Sequence, residues 1–514
     1  MSSGLRLLVS LSLLLPVSGI AADPAPAIRV EEIPSPTTAA TASGPSVTVG
    51  PDGVAWLTWL EREGAVTTLR CSTFDAAEKR WTAARPIAGG RDWFVNAADF
   101  PALTAGPGGR ATAVWFVQNP APARPAATAH AHDHDGPGYR AFISHTADAG
   151  RSWSPPAALT NESASVEFVS LATLADGRVL AAWLDGRAKK GGGKKQQLYA
   201  RILGAEGPDL LVDPSVCDCC QTALTAFPDG TALLVYRGRG EEETRDLRVT
   251  RFRGREWDDP RPLNNDDWRI AACPVNGPQI ASDGGRVAVA WFTGADNDPR
   301  VLASMSSDAG ARFLMPLRIS DGKTAGRVST LLLHHGAFLV SHVDAEGGLV
   351  LRRVNPDFAV TDPLVLATPA AGRIKGFPRL ALLRDYAGGK VPALAIAAFA
   401  REGGTGVQTL LITVPEGDLL EAEKNCDCSP TTEQLQGFSI RGSVVTAQPG
   451  AAVMRVRHFE VPGIFVAGER EFHVAPEVAA RAGGPGQQFL GRVEKRDGAW
   501  WLFDVRLIAL PPSR

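Results

Sequence analysis

The chain has 514 residues, 44% of them hydrophobic, and its 53 basic residues nearly balance 55 acidic ones, for a formal net charge of −2. That length exceeds one ordinary domain, the apolar fraction is ample for a core, and the balance argues against nucleic acid or an anionic membrane as partner. Few stretches read as helix, and 53 Gly with 38 Pro suit many short strands joined by turns.

Arg6 precedes the apolar run Leu7 to Leu15, and Gly19-Ile20-Ala21 offers small residues for cleavage, so residues 1–22 read as a secretory signal peptide. The run is too short to span a bilayer, Pro16 interrupts it, no Cys follows it for a lipid anchor, and no later stretch is long enough to span. The mature protein is expected in the periplasm or outside the cell, where disulfides persist. Residues 23–44, rich in Pro, Ala, Thr and Ser, read as a poorly ordered leader.

From residue 45 to 414 one unit recurs: an apolar run, a Gly-centred turn, and a second apolar run ending near an aromatic. Clear copies are Phe100 to Phe116, Phe168 to Trp183, Thr222 to Tyr236 and Pro278 to Phe292; weaker ones start near Ser46, Val328 and Phe377. A further pair of strand-like runs follows each. Four short strands per unit, repeated seven times, predict an all-β propeller. Trp56, Trp59 and Trp81 of the first unit read as packing between blades.

Two octapeptides sit in matching places, Thr146-Ala-Asp148-Ala-Gly150-Arg-Ser-Trp153 and Ser306-Ser-Asp308-Ala-Gly310-Ala-Arg-Phe313. The Asp carboxylate suits the backbone donors of a tight hairpin, the Gly a dihedral other residues resist, and the aromatic ring the space between sheets. They resemble the Asp-box of sialidase-like β-propellers. Those sialidases have six blades, which is the alternative to seven, and the resemblance raises an exo-sialidase-type glycoside hydrolase as one functional reading. Yet the family's Arg-Ile-Pro motif is missing, and of four tyrosines only Tyr236, with Glu241 to Glu243 nearby, stands where a nucleophile would.

Between the paired runs of the second unit, His130, His132 and His134 alternate with Ala131 and Asp133. Alternate histidines chelate divalent metals, although a solvated low-complexity insert has the same composition. Propeller geometry carries the starts of the innermost strands, and the loops between second and third strands, to one mouth of the central channel. Asp99, Arg327 and Arg373 occupy the first kind of position; Asp185, Arg187, Arg237 and Arg239 occupy the second. Guanidinium groups there suit a small anionic or glycan ligand, while Arg-Asp pairs equally suit ties between blades.

Cys217, Cys219, Cys220 and Cys273 fall at two successive blade entrances. An interblade disulfide is the expectation for an exported protein, but Cys-x-Cys-Cys holds more sulfur than one bridge to Cys273 uses. A thiolate site for a soft metal, copper above all, is the second reading. Cys71 reads as a buried lone thiol.

Residues 415–436 form a linker carrying Cys426-Asp427-Cys428, and residues 437–514 a compact strand-rich segment. Its Val453 to His458, Val461-Pro462-Gly463 and Phe472-His473-Val474 resemble the small OB-like β-barrel of CusF-like periplasmic copper-binding chaperones. The resemblance places His458 at that family's copper-ligating His. Where the family has methionines this chain has Phe465, Gly468 and Arg470. None is a soft ligand; Cys426 and Cys428 are alternative metal donors, with a local bridge between them or pairing with the propeller cysteines as an equal reading. The reading overall is an exported, non-catalytic propeller binding a ligand or soft metal at a cysteine- and arginine-lined mouth.

Overall fold

The computed structural model describes residues 28–120, 138–163, 165–190, 193, 195–333, 336–356, 358–384, 392–403, 406–415, 438–447, 452–458, 468–481, 484–496 and 498–507. The signal segment, the histidines at 130, 132 and 134, and Cys426 and Cys428 lie outside them.

The second run of each repeat is apolar without a break because both of its faces are covered. In the strand Ala55–Glu63, Trp56 and Leu60 point into a core shared with Leu103 and Trp115 of the next sheet, while Leu57 and Trp59 point into one shared with Ile396 and Leu411 of the last. The strand Val179–Asp185 does the same, with Ala181 and Trp183 on one side and Ala182 and Leu184 on the other. Side chains alternate across a strand, so a strand sandwiched between two sheets reads as one continuous hydrophobic run.

Among the described residues the strands from 29 to 414 form seven antiparallel sheets, six of four strands and one whose outer strand is split in two. They cover residues 43–90, 102–158, 166–216, 223–262, 279–318, 324–367 and 374–414, numbered here as sheets 1 to 7. The first strand of each sheet lies beside the first strand of the next, and Ile374–Arg384 of sheet 7 returns to Ser43–Val49 of sheet 1. Such a closed circle of strands is the inner wall of a β-propeller.

The leader expected at residues 23–44 is replaced in part by a strand. Arg29–Ile33 pairs antiparallel with Val407–Val414 as the outermost strand of sheet 7, so the two ends of the propeller close the ring in one sheet. Trp81 Nε1 donates to Thr409 Oγ1 (2.9 Å), which donates to Ile33 O, pinning the closure. Only Ile33 of that strand is buried. An edge strand held by its backbone needs no apolar pattern, so composition hid it.

The two octapeptides close equivalent hairpins. Thr146 and Ser306 each donate to the Asp two residues on (2.8 Å), and each accepts from the Gly four residues on. The Asp carboxylates accept from the backbone of Ser152 (2.9 Å) and Arg312 (2.8 Å). Gly150 and Gly310 have φ of 75° and 86°. Trp153 packs edge-on against Trp56 of sheet 1.

Residues 438–507 form a separate closed barrel of five strands around Ile440, Val444, Met454, Val456, Phe472, Phe489 and Leu502. Among the described residues no helix is long and apolar enough to cross a membrane.

Candidate functional site

The turn Cys217 to Cys220 follows the outer strand of sheet 3 and leads into the inner strand of sheet 4. The Cys217 N–H donates to Arg237 O (3.0 Å), which joins this turn to the end of sheet 4's second strand. Cys217 is bonded to Cys220, and Cys219 to Cys273 at the start of sheet 5. The sulfurs of Cys217, Cys219 and Cys220 lie within 4.8 Å of one another, with those of Cys217 and Cys219 4.0 Å apart. These three are buried, whereas Cys273 is exposed. Three sulfurs of one turn thus lie together, and Cys273 from a second stretch joins them through its bond to Cys219.

Side chains lace the surrounding strand entrances together. Gln221 donates to Ala98 O at sheet 2 (2.6 Å) and accepts from Gly277 N at sheet 5 (2.8 Å). A Cβ on Gly277 would stand 2.1 Å from Gln221 O, so only glycine passes there. Asn276 accepts from Arg327 N (2.8 Å), and Arg327 Nη1 donates to Ile374 O (3.0 Å), carrying the lacing to sheets 6 and 7.

A charge network flanks the sulfurs. Asp218 accepts from Gln196 N (3.1 Å) and Arg239 (2.8 Å), and Lys189 is within 3.5 Å of it. Arg239 and Arg245 share Glu243. Arg245 is buried, yet its Nε and Nη1 have no hydrogen-bond partner. Left-handed backbone at Glu242, Glu243, Asp267 and Val275, none a glycine, concentrates here. Strain and an unmet buried donor are each costly, and such costs gather at functional sites.

The mouth residues read from sequence separate into groups. Arg239 belongs to the network beside the sulfurs. Arg327, at a φ of 52°, and Arg373 line a cavity of about 290 Å³ together with Ala325, Gly347 and Glu402. Arg237 needs correction as a ligand group: it is buried, donates to the carbonyls of Asn276, Phe292 and Arg245, and lies against the Trp268 ring. Burial pushes it down to about 10. It is a strut between sheets 4 and 5. Asp185 and Arg187 are likewise engaged, Arg187 with Asp185, Asp209 and Glu162 and over the Tyr199 ring. Tyr236 is buried with its hydroxyl donating to Asp213 (2.6 Å), which also pairs with Arg248, so the proposed nucleophile faces a core.

Asp99 is buried at the entrance of sheet 2, where Tyr139 Oη (2.5 Å) and Phe168 N (3.0 Å) donate to it. Burial pushes its carboxyl up to about 8 against those bonds. Glu167, absent from the sequence reading, is pushed up to about 7, again by burial. Its neighbour Phe168 has a φ of 51° at a bulge in the inner strand. That bulge turns the strand start, which period-2 patterning does not reveal.

In the barrel, His458 is buried near the Phe472 ring (6.0 Å), and Gly468 lies opposite it on the next strand. Cys71 is buried and unpaired, its thiol pushed up to about 11 by burial.

No family model matches the sequence, and neither does any curated protein. Solved structures are similar at low identity. The Hadza microbial sialidase Hz136 is 12% identical over 73% of this chain, with a TM-score of 0.41; the match spans 66% of that protein's length, just under two thirds. The BP39L lectin from Burkholderia pseudomallei is 11% identical over 74% of this chain and 99% of its own, TM-score 0.48. An α-L-arabinofuranosidase of Fusarium graminearum is 13% identical over 63% and 95%, TM-score 0.43. Likeness at this level assigns no activity.

Proposed function

We propose that the chain is an exported, non-catalytic, seven-bladed propeller with an OB-like barrel, and that its cysteine centre takes a soft metal, copper(I), when reduced. The supporting observation is the meeting of Cys217, Cys219 and Cys220 within 4.8 Å, with Cys273 bonded to the group. Thiolates are soft donors and select Cu(I) over harder ions. His458 is a weaker candidate: Gly468 opposite and Arg470 on the same strand offer no soft atom. A small anion or glycan is assigned to the cavity of Arg327 and Arg373, where two guanidinium groups outnumber the single carboxylate of Glu402. The test is anaerobic reduction followed by Cu(I) titration against a competing chelator. Tight stoichiometric uptake lost in Cys219→Ser supports the reading; no uptake by the reduced protein removes it.

A second reading, glycoside hydrolysis, starts from two carboxyls at adjacent strand entrances: Asp99, which accepts from Phe168 N (3.0 Å), and Glu167, the residue before Phe168, both pushed up by burial. It replaces Tyr236 by a carboxyl pair. Turnover of fluorogenic sialosides or arabinosides, abolished by Asp99→Asn and Glu167→Gln, supports it; no turnover dismisses it.

A further inference from the structure

We propose that the four cysteines form a disulfide relay with one port, in which a low-molecular-weight thiol attacks Cys273 and the electron pair passes through Cys219 to the buried Cys217–Cys220 bond. Cys217 and Cys220 are 1% and 2% exposed, so no external thiol reaches their bond directly. Cys273 is exposed, and its partner Cys219 has its sulfur 4.0 Å from that of Cys217. One bonded pair faces solvent, and its inner sulfur touches the hidden pair.

The exchange balances in three steps. An incoming thiolate attacks Cys273 Sγ, forming a mixed disulfide and breaking the Cys219–Cys273 bond, with Cys219 leaving as thiolate. Cys219 then attacks Cys217 Sγ, forming a Cys217–Cys219 bond and releasing Cys220, which takes a proton from solvent. A second thiol resolves the mixed disulfide on Cys273, giving the external disulfide and a free Cys273. Two thiols have lost two electrons, and one protein disulfide has become two thiols. Attack of Cys273 on Cys219 then restores the port and frees Cys217, and a second round opens the remaining bond. The relay stands whether or not the reduced centre takes a metal.

The experiment uses the mature full-length protein under anaerobic conditions, with glutathione as the thiol and a Cu(I) chelator present to exclude metal. Samples are quenched by alkylation and the cysteines mapped by peptide mass. The relay predicts the first glutathione adduct on Cys273, and a Cys217–Cys219-linked peptide with Cys220 alkylated. In Cys219→Ser/Cys273→Ser, the Cys217–Cys220 bond opens about tenfold more slowly or worse, because direct access is what limits exchange. Buried Cys71 reports folding, since it is alkylated only if the variant opens. If the double variant does not fold, the wild-type map alone decides. A first adduct elsewhere, or loss of the Cys217–Cys220 bond before any Cys273 adduct or Cys217–Cys219 bond has formed, overturns the relay, as does a folded double variant reacting at the wild-type rate.

Discussion

Cys219 and Cys273, 54 residues apart in the chain, are joined across the entrances of sheets 4 and 5. The bond closes a loop holding all of sheet 4, whereas Cys217–Cys220 closes a turn of separation 3. Loop-closure entropy then assigns the long bridge on the order of 4 kcal/mol and the short one on the order of 1.5 kcal/mol. Chemical denaturation of Cys219→Ser/Cys273→Ser and Cys217→Ser/Cys220→Ser is expected to show that ordering. Equal losses would mean that the bridges act through local packing instead.

Arg237 should behave as a structural strut. Arg237→Lys keeps a charge but cannot serve three carbonyls from a planar fork, so a loss of roughly 2–4 kcal/mol is expected, with carbonyls left unpaired in the core. Anion binding in the Arg327 and Arg373 cavity should be unchanged when measured by calorimetry with a simple carboxylate. The reverse pattern, stable protein with lost anion affinity, would return Arg237 to the ligand site.

Tyr236→Phe removes the hydroxyl that donates to Asp213 and leaves the Asp213–Arg248 pair in place. A stability loss of about 1–2 kcal/mol is expected, with metal uptake by the reduced centre unaltered. Any glycosidase activity abolished by this change would contradict the buried placement.

Asp99 gives a pH dependence of defined sign. Its folded carboxyl titrates at about 8, above the unfolded value near 4, so the native state binds the extra proton. Stability from this group therefore falls as pH rises through that window, by at most about 1.4 kcal/mol per pH unit. Calorimetric Tm values from pH 5 to 8 should show wild type losing ground against Asp99→Asn as pH rises. A constant difference between the two would mean that Asp99 is ionised throughout.

The sequence carried the repeats well because a strand covered on both faces writes its whole length in apolar residues, as Ala55–Glu63 and Val179–Asp185 do. It placed the cysteines together because repeat boundaries fix which loops are neighbours. It hid Arg29–Ile33, whose pairing is all backbone and whose side chains, Ile33 apart, face solvent. It misjudged Arg237 because carbonyl partners leave no mark in residue identity. Glu167 was invisible for a related reason: it stands beside the bulge at Phe168, a backbone feature without a composition.

The central claim is that the sulfur centre is a soft-metal site once reduced. X-ray absorption at the copper edge of anaerobically reduced, Cu(I)-loaded protein tests it most directly. The account predicts a first shell of sulfur alone, with one copper per centre and both lost in Cys217→Ser/Cys219→Ser. A shell of nitrogen or oxygen, or copper retained in that variant, would contradict it.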